Sequence, residues 1–155
     1  SAQEIVSRLR NMYDGYRFSS SDLLVYNPFS LLNAFESLEF GAYWFATGTP
    51  KYLVELLQNN DYALSDLEGV TASATQLSAF NPDTGDDPIP VMYQSGYLTI
   101  KGYDLEDNEF TLGFPNNEVR QGFSEYILPF YVDNTAAMKR FGYRAFMKEI
   151  KQGKA

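Results

Sequence analysis

The sequence contains no cysteine and no histidine. Without cysteine there is neither a disulfide framework nor a thiolate metal site. Without histidine the usual general base near neutral pH is missing. The Ser-His-Asp and Cys-His arrangements go with it, and so do most zinc and iron sites. Catalysis in this chain would have to rest on carboxylates, lysine, tyrosine or backbone groups. No apolar run approaches the roughly 18 residues that a membrane span needs, and no secretory signal is visible. These features fit a cytoplasmic protein with no membrane partner. The chain opens Ser1-Ala2 without a methionine, which reads as a fragment.

Basic residues are also scarce, and unevenly placed. Residues 1–133 hold 19 acids and 6 bases, whereas residues 134–155 hold 1 acid and 6 bases. An acidic body is a poor surface for phosphate backbones. The basic tail (Lys139, Arg140, Arg144, Lys148, Lys151, Lys154) reads as a solvated helix face.

Apolar and aromatic residues are abundant. The 155 residues are 45% hydrophobic, with 12 Tyr and 12 Phe, enough to build a core. Ile5, Leu9 and Met12 follow helical spacing and predict a helix that ends at Asp14-Gly15. "YRF" (16–18) and "LLVY" (23–26) predict a short hairpin or two extended pieces. "NPFSLLNAF" starts a helix with Asn27 as cap and Pro28 at its first position, with Leu31, Phe35 and Leu38 on the expected inner face. "TPKYLVELLQ" repeats the device, with Thr49 and Pro50 at the start and Leu53, Leu56 and Leu57 inward. After a looser stretch over 59–75, "TQLSAF" and "PIPVMYQSG" read as helices, with Gly96 stopping the second. Two strand-like runs, 97–101 and 109–114, flank an acidic turn. Val119, Phe123, Tyr126, Ile127 and Phe130 then mark an amphipathic helix. "TAAMKRFGYRAFMKEIK" reads as a last helix. The fold expected is mainly α with a small β-hairpin, an α+β chain. A helical subdomain over 1–60 precedes a winged-helix-like subdomain over 72–131, and 132–155 forms a basic C-terminal helix or linker. Segments 59–72 and 132–136 read as connecting segments.

Four chemical readings can be weighed against plainer ones. "TGTPK" at 47–51 suggests phosphate binding, but no G-x-x-x-x-G-K-[ST] run exists, and Pro50 lacks one of the N–H groups such a nest uses. Alone it reads as a capped helix start. Asp83, Asp86 and Asp87 are hard oxygen ligands, yet they lack the alternating spacing of a calcium loop, so a solvated turn is the plainer reading. Glu149 to Lys151 matches the E-x-K half of a nuclease site but falls in a helical pattern, where that chemistry needs a strand and a separate metal-holding Asp. The helix "PIPVMYQSG" has no Arg or Lys, and the "wing" KGYDLEDNEF carries four acids. Direct nucleic-acid binding is therefore not expected.

The phrases "MYDGYRFS", "VYNPFSLLNAF", "YWFATGTPKYLVELL", "MYQSGYLTIKGYD" and "LGFPNNEVRQGF", in this order, resemble the C-terminal half of the AAA-ATPase-like family of gut bacteria. The resemblance covers residues 5–131. Such proteins are similar to STAND and archaeal P-loop ATPases and are often fused to a PD-(D/E)XK nuclease-like domain. The resemblance implies that this chain is the lid and winged-helix part. The P-loop domain would lie upstream and the nuclease-like domain downstream, both as partners in the same polypeptide. ATP and Mg would then be held only with the upstream domain, and the fragment itself would carry no cofactor, no metal and no catalysis. "TGTPKYL" is similar to the lid motif T-G-G-x-P, with Thr47, Gly48 and Pro50 matching and Thr49 in place of the second glycine. These four residues, together with Arg17, would face nucleotide in the intact protein. Arg17 also has a structural reading, stacked on tyrosine and paired with Asp14. The resemblance thus implies nucleotide sensing and interdomain coupling. The alternative is a protein-binding module that works independently of ATP through its aromatic surface.

Overall fold

Capping side chains set most helix boundaries in the computed structural model, which describes residues 1–47, 51–60, 67–79 and 87–127. Helix α1 spans Ala2–Tyr13 and ends at Asp14. Helix α2, Pro28–Ser37, starts where Asn27 accepts from the N–H groups of Phe29 (3.1 Å) and Ser30 (3.3 Å). A 3₁₀ turn, Trp44–Thr47, leads toward α3, Lys51–Asn59. Strand β1, Thr71–Ser73, passes into α4, Ala74–Ser78, through a capping box between Ser73 and Gln76. Asp87 caps α5, Pro88–Gln94, and Asn116 caps α6, Asn117–Gly122. Between α5 and α6 run strands β2, Thr99–Asp104, and β3, Glu109–Gly113. One turn of π-helix, Phe123–Ile127, continues α6. The chain is mixed α and β, mainly α.

The three strands form an antiparallel sheet in the order β1-β3-β2. Asp104 accepts from the N–H groups of Glu106 and Asp107, closing the acidic turn between β2 and β3 with Asn108 in the left-handed region. The two extended pieces expected near 16–26 meet in a single bridge, Tyr16 to Val25. Thr99 ties this N-terminal region to the sheet. Its hydroxyl accepts from the Arg17 N–H at 2.8 Å and donates to the Arg17 carbonyl at 3.0 Å. One continuous core joins Tyr16, Phe45, Leu53 and Leu57 to Met92, Leu98, Leu112, Val119 and Phe123.

Four expectations are corrected. The loose stretch 59–75 contains β1, whose Ala72 is buried beneath the sheet. Three residues are too few for an alternating pattern to register, and pairing with β3 is what makes them a strand. Helix α2 does not turn Phe35 and Leu38 inward; they are 55% and 87% exposed. It buries Ser30 and Ala34 instead. Small residues let the helix approach its neighbours closely, and the larger apolar side chains are left on the outside. The helix expected through Phe130 is α-helical only to Gly122 before the π turn. The strand runs also shift, to 99–104 and 109–113. Phe130, the last expected helix with its basic tail, Glu149 to Lys151 and the connection at 132–136 lie outside the described residues.

Two glycines mark close approaches. A Cβ on Gly15, where φ is +110°, would meet the Pro115 carbonyl oxygen at 2.1 Å. A Cβ on Gly122 would meet the Phe45 ring at 2.0 Å, so α6 carries no side chain where the 3₁₀ turn presses on it. Gly122→Ala is expected to lower stability by about 1–3 kcal/mol. The urea midpoint checks this, and the cost should shrink in a Phe45→Leu background, because the same ring takes part in both.

Candidate functional site

Of the residues expected to face nucleotide, Thr47 ends the 3₁₀ turn, and Gly48, Thr49 and Pro50 lie outside the described residues. The run-in to them is firmly held. Glu118, fully buried on α6, accepts from the Trp44 N–H through Oε1 at 3.0 Å. The Tyr43 N–H also favours its charged form. Phe45 packs on Tyr97 and stacks on Tyr126, its ring centroid 5.8 Å from the latter. The turn before Gly48 is therefore anchored to the helix that follows the hairpin.

Burial pushes the Glu118 carboxyl up from its ordinary value, against the pull of Ser30 and the N–H groups of Trp44 and Tyr43. The Ser30 hydroxyl favours the charged form, yet Ser30 Oγ and Glu118 Oε2 close no hydrogen bond by geometry. Burial and then the Glu118 charge also raise the phenol of Tyr16. Tyr13 holds the other side of this region, donating through its hydroxyl to the Gly41 carbonyl and accepting from the Gly41 N–H.

Arg17 is buried, and its guanidinium is spent inside the chain. Nε donates to the carbonyls of Ser19 and Ser21, Nη1 to that of Lys101, and Nη2 to that of Ser20. Its ion pair is with Asp22 at 3.3 Å; the Asp14 expected as its partner accepts instead from the Gly15 N–H. Asp87 serves as the α5 cap, accepting from the Ile89 N–H, while Asp83 and Asp86 lie outside the described residues.

A second feature escaped sequence reasoning. A cavity of about 550 Å³ opens between α1, β2 and the segment entering α6. Arg10, Arg17, Lys101 and Arg120 all line it. They are four of the six basic residues in positions 1–133. Their scarcity was visible in the sequence; their meeting across 110 positions was not. Glu68 pairs with Arg120 at 2.6 Å, and the Lys101 ammonium donates to the Pro115 carbonyl at 3.3 Å.

Over 135 residues the chain is 38% identical to an "Uncharacterized protein in vnfD 5'region" of Azotobacter chroococcum mcd 1. The match takes in 85% of this chain, which spans about a quarter of that relative's length. No family model matches the chain. No solved structure matches it either.

The Glu118 carboxyl yields a pH prediction. The unfolded chain holds this proton with an ordinary value near 4.5, and the folded chain holds it more tightly. The group therefore stabilises the fold below that value, and the contribution is lost as pH rises through the folded value. Urea unfolding of the wild type and of Glu118→Gln from about pH 4 to about pH 7 should show the wild type losing ground to the variant as pH rises. A difference that does not change with pH would remove Glu118 as the source.

Proposed function

We propose that this chain is the non-catalytic lid and winged-helix part of a larger AAA-ATPase-like protein, and that it carries nucleotide state from one neighbouring domain to another. The observation that carries the reading is the tie between the run-in to "TGTP" and α6 through Glu118 and the Trp44 N–H. A shift of the turn at Trp44–Thr47 would have to move α6 with it or break a buried hydrogen bond. Such a tie suits a two-state movement of a lid against its neighbour. Further support comes from the order of elements. Helix α3, strand β1, helices α4 and α5 and a hairpin, with a β1-β3-β2 sheet, follow the path of a winged helix. Helix α5 buries Pro88, Ile89, Pro90 and Met92, so it packs into protein in this reading and does not enter a groove of DNA. ATP would bring its own phosphate chemistry on the P-loop domain. The part of this chain is to bring Thr47, Gly48, Thr49 and Pro50 to it.

The test uses the longer polypeptide. Gly48→Val and Pro50→Ala should each weaken binding of a fluorescent ATP analogue by at least about tenfold, the scale of one lost contact of ~1.4 kcal/mol. Unchanged affinity in both variants would end the sensing role.

A second reading, a protein-binding module independent of ATP, is favoured by one observation. Phe29, Leu32 and Phe35 on α2 and Leu38 at its C-cap stand exposed, a run of apolar side chains with no cover among the described residues. Leu32→Ser with Phe35→Ser should leave the urea midpoint of this chain within about 0.5 kcal/mol of the wild type, since neither side chain is buried. If the same pair abolished capture of a partner while ATP-analogue binding stayed intact, the second reading would replace the first.

A further inference from the structure

The cavity beside α1 has the make-up of an oxyanion site. Arg10 lies in the last turn of α1, exposed, and its guanidinium has no partner among the described residues. Asn116 lines the cavity at 8% exposure. Its Oδ1 is used by the Val119 N–H, and its Nδ2 is buried without a partner. Arg120 spends one Nη on Glu68 and leaves its Nε buried and unpartnered. Lys101 completes the group. A buried donor left unmade costs about 1–3 kcal/mol, and two of them beside one cavity mark a place where an acceptor belongs. The acids in the cavity wall do not supply it. Asp22 is taken by Arg17, and Asp14 accepts from the Gly15 N–H.

We infer that this cavity binds a phosphate group, as free phosphate or as a small phosphomonoester, through Arg10, Lys101, Asn116 and Arg120. The donors decide against an uncharged ligand. Guanidinium forks match the paired oxygens of a phosphate, and charge-assisted bonds to an oxyanion are the strong ones. Arg10, Lys101 and Arg120 face one cavity, Arg120 paired with Glu68 and Lys101 donating to the Pro115 carbonyl, and three positive charges favour a dianion over a single carboxylate. Burial, followed by the Arg120 charge, lowers the Lys101 ammonium against the pull of Glu68, and a bound dianion would relieve that crowding. The apolar side of the cavity, Ile100 and Phe114, leaves room for an organic substituent. The assignment uses none of the residues at 47–50, and it stands whether or not the lid reading does.

Isothermal titration calorimetry of the whole chain with inorganic phosphate, with AMP as a phosphomonoester, and with chloride at matched ionic strength tests this. Saturable binding of phosphate or AMP that chloride does not reproduce is expected. Arg10→Ala should weaken it about tenfold, the loss of one charge-assisted bond. Arg10 is exposed and has no partner among the described residues, so this variant is expected to keep the fold. Lys101→Met provides a second variant on another element. Tighter binding of AMP than of phosphate would assign the site to a phosphomonoester, and equal binding to free phosphate. Heats equal to those of chloride, or binding unchanged in both variants, would overturn the assignment.

Discussion

A buried carboxylate with no cation beside it among the described residues organises this structure. Glu118 lies fully buried, and what holds it is a set of dipoles: the Trp44 and Tyr43 N–H groups, with the Ser30 hydroxyl nearby. Those groups belong to the turn at 43–44 and to α2, and the carboxylate itself to α6. Satisfying one side chain therefore fixes the placement of α2, of the 3₁₀ turn and of α6 together. The cost of burying charge favours this arrangement, because a docking that drew the turn away would cost Glu118 Oε1 the Trp44 N–H. The close contact of Phe45 with Gly122 sits one turn further along α6 and presses the same two elements together.

The electrostatics of the rest follow an opposite pattern. The body is acidic, yet most of its few cations are drawn to one cavity. Arg17 is consumed there by the carbonyls of Ser19, Ser20 and Ser21, where it shapes a loop. Arg10 and Lys101 are not consumed to the same degree. Position within the cavity, more than residue type, separates a scaffold arginine from one free to meet a ligand.

How much of this could be read from the residues depends on the range of the interactions. Local signals carried well. Asn27-Pro28 and Asp87-Pro88 start helices where expected, because a cap and a proline act within one turn. Leu53, Leu56 and Leu57 are buried as their spacing requires. Strand β1 did not carry, since three residues become a strand only through β3. The outward apolar side chains of α2 were misread for a related reason. Helical spacing identifies an apolar stripe, but which face of the helix turns inward is set by its neighbours in space, and here Ser30 and Ala34 take the inner face. The cavity was illegible for the same cause: nothing near Arg10 in sequence points to Lys101 or Arg120.

The Glu118 tie also bears on how the chain reaches its fold during synthesis. Trp44 is separated from its acceptor by 74 positions, and Arg17 from Thr99 by 82. A ribosome releases the first helices well before either partner exists. Until residue 118 emerges, α1, α2 and the aromatic turn have no buried carboxylate to close upon, and their apolar faces stay open to other chains. Long-range closure of this kind makes the N-terminal third the part that must wait, and the part most dependent on being shielded while it does.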